Sequence, residues 1–378
     1  MTEKSINYYK GAEKNLVDID TIKNEVARIL KMDNLNILIG AGCSSHIKKQ
    51  DEEWIECGIP GMASLYNRFF EEHQDFNIAG KQVNDEFDGN LEKMLEYMGA
   101  VSVVNPVNLV DKDIDEKITL VKQFIQKQIA SGISSEVVLK LYREFYIKIA
   151  GKGRKHPVNV FTTNYDLYNE KALDSLSFSY NNGFIGTYRR TFNPASYRYA
   201  YVEDMQLSKE TWERVPNFYN LYKLHGSISW IKENDEILEK NYETIESDDL
   251  VMIYPTPLKD RSTLMTPYSD LFRSMENSLL LSNSVLITLG YSFSDDHINR
   301  LILNSLAVPT FRLIVFGKSK AIERLIELDD SRIIVVNSDD KIHYFKNFVE
   351  KVMPIQSEEM TDRMRMQSVL QMIKSFEE

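Results

Sequence analysis

Cysteine is scarce in this sequence: Cys43 and Cys57 are the only two in 378 residues. Two thiols cannot build the disulfide framework of a small secreted protein, and they fall short of a four-cysteine zinc site. Long apolar runs are missing as well, and no stretch approaches the roughly 20 residues that a membrane-spanning helix needs. The opening MTEKSINYYKGAEK has no apolar core and no small-residue cleavage site, so it does not read as a secretory signal. A cytoplasmic location is expected. Positive charge is in deficit, with 45 Lys and Arg against 56 Asp and Glu and a formal charge of −11. Nonspecific nucleic-acid binding draws on clustered bases that neutralise phosphates. The small patch of Lys152, Arg154 and Lys155 reads instead as a solvated loop. Neither direct nucleic-acid binding nor membrane insertion is expected. No cluster with metal-ligand spacing is present, so no metal is expected either.

The sequence does have enough apolar residues for a core, 43% of the chain, and several runs with the character of buried strands. Asn34–Ile39 (NLNILI), Val158–Thr162, Leu221–Leu224, Val251–Tyr254, Ser284–Leu289, Arg312–Phe316 and Arg332–Val336 are mostly apolar along their length. Parallel strands covered on both faces have that pattern. Helical spacing intervenes over Val17–Met32, Asp295–Leu306 and Ser319–Leu328. Between residues 60 and 152 it dominates, in Met62–Glu72, Asn90–Val101, Ile114–Ala130 and Ser134–Ile149. The fold class expected is α/β, a Rossmann-like parallel sheet with helices on both faces and an inserted helical subdomain. The corresponding division is a sheet domain over 1–59 and 153–350, an insertion over 60–152 and a helical tail over 351–378. The Tyr- and Arg-rich stretch 187–206 lacks periodicity and reads as a lid, an interface loop or a plain surface excursion.

Four short motifs sit where strands end. Gly40-Ala41-Gly42-Cys43-Ser44 follows the first apolar strand. Glycines there permit a tight turn and a close approach of backbone N–H groups to a diphosphate. The turn lacks the third glycine of GxGxxG, and no acidic residue closes a second strand about 20 residues on, which argues against an ordinary dehydrogenase. Thr162-Thr163-Asn164-Tyr165-Asp166 puts an amide and a carboxylate at a strand's C-terminal end, where α/β folds bind ligands. Taken alone, Asn164 reads first as a helix cap. Lys223-Leu224-His225-Gly226-Ser227 puts an imidazole before a glycine at another strand end. Gly290-Tyr291-Ser292-Phe293-Ser294-Asp295 offers a further phosphate cradle, although Ser294 or Asp295 also fits a helix cap. A fifth element, Asn337, closes a later strand. His46 and His297 read as loop or helix-surface histidines, and Trp54 and Trp230 as packing residues.

The order GAGxS, TxNxD, HG, Gly-x-Ser and a strand-terminal Asn resembles the sirtuin superfamily. The spacing of TTNYD, KLHGS and GYSFSD, with the helical NLEKMLEYMGAV, is similar to the sirtuin-like proteins of bacterial antiphage defence. That resemblance implies NAD as substrate, with Gly40, Ala41, Gly42, Cys43 and Ser44 at the diphosphate. Thr163, Asn164 and Asp166 would surround the nicotinamide and its ribose, Gly290 and Ser292 would hold phosphate or ribose, and Asn337 would touch the adenosine end. His225 matches the family's catalytic base, with Asn164 orienting a water or a ribose hydroxyl.

Deacylating sirtuins carry a zinc ribbon of two CxxC pairs after the catalytic His, whereas the interval from His225 to Gly290 contains no cysteine. The resemblance therefore implies an NAD hydrolase rather than a protein deacylase or ADP-ribosyltransferase. A non-catalytic NAD or ADP-ribose sensor is the alternative, set against the joint presence of Asn164, Asp166 and His225. Control by homo-oligomerisation or by a HerA-type hexameric ATPase partner is a further implication of the resemblance.

Overall fold

The computed structural model describes residues 5–50, 53–104, 111–150, 154, 156–204, 212–245, 250–252 and 266–354. The tail read as an amphipathic helix over 357–378, Lys152 and Lys155, and the ends of the stretches 187–206 and 251–254 lie outside the described residues.

Nine strands form the central sheet: β1 (Ile6–Lys10), β2 (Glu13–Val17), β3 (Asn34–Ile39), β4 (Val158–Thr162), β5 (Tyr180–Asn181), β6 (Tyr219–Lys223), β7 (Ser284–Leu289), β8 (Arg312–Phe316) and β9 (Ile333–Asn337). Their order is β2-β1-β9-β8-β7-β3-β4-β6-β5. The seven strands from β9 to β5 run parallel, and the β1–β2 hairpin adds antiparallel along β9. This is the Rossmann-like α/β class expected from the sequence. The apolar runs are explained by burial on both faces. In β3, Leu35, Ile37 and Ile39 enter one core and Leu38 the other. In β7, Val285, Ile287 and Leu289 face the first core and Leu286 the second.

Helices cover both faces. The first core is closed by α1 (Ile19–Ile29), α5 (Glu136–Ile149) and α6 (Tyr168–Ser175), and the second by α7 (Tyr268–Leu279), α8 (Asp296–Asn304) and α9 (Lys320–Glu327). A third core joins α2 (Met62–Glu72), α3 (Leu91–Val104) and α4 (Ile114–Gly132) to Ile228 and Met252. The helical stretch between 60 and 152 thus serves two cores, with α5 lying against the sheet.

Register is pinned by a ladder of asparagines. Asn36, Asn159 and Asn220 are paired across β3, β4 and β6. Asn159 Nδ2 donates to Asn36 Oδ1 at 3.0 Å, and Asn220 Nδ2 to Asn159 Oδ1 at 3.1 Å. A one-residue slip would turn these amides onto the opposite face and strand their partners. With that register set, Lys223, Thr162, Ile39, Leu289, Phe316 and Val336 form one row across the sheet. The residues that follow them all emerge at one edge.

The stretch 187–206 is not a free excursion where it is described. Arg190–Phe192 pairs with Glu236–Glu239 in a five-stranded sheet that also holds Phe184–Ile185, Gly226–Glu233 and Leu250–Met252. Val202–Asp204 pairs with Trp212–Arg214. Fully buried Trp230 packs against Phe184 and Phe192 in that layer.

Candidate functional site

The chain leaves β3 for β4 on one side and later returns to β7 on the other, so the strand order reverses between β3 and β7. A crevice at such a reversal, beyond the carboxyl ends of the strands, is where open α/β sheets bind ligands. Two glycine turns meet there. Gly40 N–H donates to Leu289 O at 2.9 Å, and Gly42 N–H to Gly290 O at 3.0 Å. A Cβ on Gly40 would sit 2.5 Å from Gly290 O and 2.7 Å from Tyr291 Cα. Gly290 adopts φ +61°, and its Cβ would sit 2.6 Å from Cys43 N. Both positions require glycine for the contact between the turns, before any ligand is considered.

The amides of Cys43 and Ser44 close onto Gly40 O and Ala41 O at 3.0 Å each. Exposed Ala41 and Gly42 form the outer surface of the turn, while Cys43 and Ser44 lie beneath it. Burial pushes the Cys43 thiol well up, so it is an inert core group.

Ser44 organises the second motif. Asn164 Nδ2 donates to Ser44 Oγ at 3.0 Å and to Gly40 O at 3.1 Å, while Ser44 Oγ lies 2.8 Å from Tyr142 Oη. The other end of the amide, Asn164 Oδ1, is buried without a hydrogen-bond partner. Asn164 does not serve as a helix cap: α6 begins after Leu167, and Asn164's side chain is fixed on the glycine turn. Thr163 N–H donates to Ile39 O at 3.2 Å, tying this loop to β3. Asp166 is 3% exposed and accepts from Tyr168 N–H at 3.0 Å. Burial pushes its carboxyl up, against the opposing pull of Lys223 and a hydrogen bond from Ser44. Lys223 is itself buried. Its ammonium bonds Glu170 Oε1 at 3.0 Å and the main-chain carbonyls of Tyr165, at 3.4 Å, and Asp166.

His225 follows β6, where Leu224 N–H is tied to Thr162 O at 2.8 Å. Its ring centroid is 6.4 Å from that of Tyr165, in the motif that carries Asn164 and Asp166. Nε2 lies 3.0 Å from Asp295 Oδ2, within ion-pair reach. Asp295 also caps α8, its Oδ1 accepting from the N–H groups of His297 at 3.0 Å and Ile298 at 3.3 Å. One carboxylate therefore fixes a helix start with one oxygen and faces the imidazole with the other.

Farther along the edge, Ser292 and Ser294 are exposed, with their hydroxyls 2.9 Å apart. Ser319 Oγ donates to Ser292 O at 3.0 Å. Asn337 donates to Gly317 O at 3.3 Å and accepts from Asn7 at 3.1 Å. It lines a cavity of about 280 Å³ with Tyr9, Lys318 and Ser319. From β4 to β9 the edge spans four strand spacings, roughly 19 Å, which suits an elongated, two-headed ligand.

Some participants carry no local signal in the sequence. Tyr142 reaches Ser44 from α5, 98 positions away, and Lys318 and Tyr9 meet Asn337 only through the sheet order. The Asp295 contact with His225 was hidden behind its role as a cap. His297 packs edge-on against Phe272 at 4.5 Å, and His46 is half-buried. Among the described residues, no group of three or more His, Cys, Asp or Glu is placed to hold a metal ion. No helix among them is long and apolar enough to cross a membrane.

A family model described as a SIR2-like domain matches residues 158–318. That span takes in Asn164, Asp166, His225, Gly290 and Ser292, and leaves Gly40–Ser44 and Asn337 outside. No curated protein matches the chain. Over that span the chain is similar to SIR2-like domains, which supports the sirtuin-like resemblance of its sequence motifs.

Proposed function

We propose that this chain hydrolyses NAD, breaking the bond between nicotinamide and ribose to give nicotinamide and ADP-ribose. The observation that carries the proposal is the bonding of Asn164 to the Gly40 turn at the point where the strand order reverses, with His225 facing Asp295 at the same sheet edge. The fit to NAD is supported by the orphaned Asn164 Oδ1. A buried polar atom without a partner costs about 1–3 kcal/mol, so this is a position where a ligand or water group restores a lost bond. The adenosine end lies toward Asn337 and its cavity, and the diphosphate toward Ala41, Gly42, Gly290 and Ser292.

In the reaction the C1′–N bond breaks and its electron pair leaves with nicotinamide. The positive charge that develops on the ribose is stabilised by a nearby carboxylate and oriented dipoles, the parts assigned to Asp166 and Asn164. Water adds its oxygen at C1′ and loses its proton to His225, a residue type that exchanges protons near neutral pH. Asp295 holds the ring and stabilises it once protonated.

The interval that carries a zinc ribbon in deacylating sirtuins here forms, where described, part of a five-stranded sheet without cysteine. That supports hydrolysis over deacylation. NAD depletion in antiphage defence, control by homo-oligomerisation, a HerA-type ATPase partner and a cytoplasmic location are parts of the same proposal. Light scattering on the purified chain, alone and mixed with a HerA-type ATPase, tests the assembly. A strict monomer with full constitutive activity and no association would overturn that part.

The direct test is His225→Ala. A general base contributes roughly 10²–10⁴-fold, so nicotinamide release should fall by at least about a hundredfold with melting unchanged.

A further inference from the structure

A cavity of about 560 Å³ lies outside the proposed NAD edge, between α6, the end of β5 and the strands after His225. Its volume is in the range of small-molecule sites. Nothing in the proposed hydrolysis uses it.

Two of its lining residues are deeply buried and incompletely satisfied. Glu170 is 7% exposed, and its Oε1 accepts from Lys223, but Oε2 has no hydrogen-bond partner. Asn181 is 4% exposed, with Oδ1 accepting from Gly183 N–H at 2.8 Å and Ser196 Oγ at 3.2 Å, while Nδ2 has no partner. The neighbouring wall is closed on itself. Arg190 bonds Glu239 at 2.6 Å and Asn182 at 2.9 Å, and Asn182 bonds Glu239 at 2.8 Å. The cavity is thus left with one buried acceptor and one buried donor.

Tyr180, Phe184, Tyr201 and Tyr242 add aromatic surface to the same lining. A flat heterocycle that carries both a donor and an acceptor matches this lining, and hydroxyls from Ser229 and the tyrosines suit a sugar. Charge narrows the class further. The lining carries three carboxylates, Glu170, Asp174 and Glu239, against the cations Arg190 and Lys240. Arg190 is already paired with Glu239, Lys223 with Glu170 and Lys240 with Glu233 at 3.6 Å, so a phosphate group would meet no unpaired cation among these lining residues.

From these observations we infer that the cavity is a binding site for an uncharged nucleoside, in contrast to the phosphorylated ligand expected at the sheet edge. Occupancy has a route to that edge. Glu170 is held by Lys223, whose ammonium also holds the main chain of Tyr165 and Asp166 in the loop that carries Asn164. The site itself stands whether or not the chain cleaves NAD.

The test is isothermal titration of the full chain with adenosine, guanosine, cytidine and uridine, and with AMP as the charged counterpart. At least one nucleoside should bind below 1 mM, and adenosine, if it binds, at least about tenfold more tightly than AMP. Asn181→Asp replaces the orphan donor with an acceptor, and Tyr242→Ala removes an aromatic wall at a half-buried position. Each should weaken binding about tenfold or more, the loss expected when a buried hydrogen bond or a stacking surface is removed. Asn164→Ala, at the NAD edge, should leave nucleoside affinity within twofold of wild type. The inference is overturned if no nucleoside binds below 1 mM or if AMP binds as tightly as adenosine. It is also overturned if Asn164→Ala abolishes binding while Asn181→Asp and Tyr242→Ala do not. Circular dichroism on each variant separates loss of the site from loss of the fold.

Discussion

Replacing three glycines with alanine, one at a time, separates the two physical costs that meet where the turns touch. At Gly40 the backbone is extended, with φ −104°, a conformation alanine adopts freely. The cost there is steric alone. The new Cβ would lie 2.5 Å from a backbone oxygen, where ordinary contact begins near 3.4 Å, so the turns must part by about 0.9 Å. Overpacking of this kind costs about 1–3 kcal/mol. At Gly80, φ is +76° and no atom lies within 4 Å of the added Cβ. Its cost is conformational alone, about 1–2 kcal/mol for a left-handed residue. Gly290 combines a φ of +61° with a Cβ contact of 2.6 Å, so the two costs add to roughly 2–5 kcal/mol. At roughly 2 °C per kcal/mol for a large chain, differential scanning fluorimetry should order the losses as Gly290→Ala, then Gly40→Ala, with Gly80→Ala smallest or level with the second. Because Asn164 is held by Gly40 O at 3.1 Å, Gly40→Ala should also weaken NAD binding, and Gly80→Ala should not. A Gly290→Ala protein that melts with Gly80→Ala, or a Gly40→Ala protein that melts with wild type, would refute the close contact between the turns.

Other expected outcomes follow from single groups. Asp295→Asn keeps a good helix cap and removes the charge facing His225, so turnover should fall with little change in melting. Asp295→Ala should additionally lose about 1 kcal/mol of stability with the cap. Burial raises the Asp166 carboxyl above its ordinary 3.8, so the folded state keeps this proton to higher pH than the unfolded chain. Its contribution to stability is present below pH 4 and is lost as pH rises through the raised value. Asp166→Asn should therefore cost activity yet gain urea resistance over wild type at pH 7, with that gain vanishing near pH 4. Lys223→Met leaves buried Glu170 uncompensated and should cost about 3–5 kcal/mol in chemical denaturation; adding Glu170→Gln should recover part of that.

The sheet was legible in the sequence wherever a strand is buried on both faces. Asn34–Ile39, Ser284–Leu289 and Arg312–Phe316 keep the bounds their apolar runs suggested. The β1–β2 hairpin was not legible, because INYYK and EKNLV lie at the partly exposed margin of the sheet, with β2 at its edge, and neither is a continuous apolar run. The stretch 187–206 lacked a signal for a related reason: its strands have three residues each, and Arg190–Phe192 gains its order from Glu236–Glu239, dozens of positions away. At the site, residue types at strand ends could be read, because the turn after a strand is local. Their mutual geometry could not. Nothing near Ser44 in the sequence announces Tyr142, and nothing near His225 announces Asp295, since both contacts depend on strand order and helix placement.

Incubating NAD with the purified protein and with His225→Ala, and resolving the products by chromatography, decides whether the chain hydrolyses NAD. Nicotinamide and ADP-ribose in equal amounts from wild type, with at least about a hundredfold loss in the variant at unchanged melting temperature, is the expected result. NAD left intact by wild type, or cleaved at the wild-type rate by His225→Ala, would contradict it.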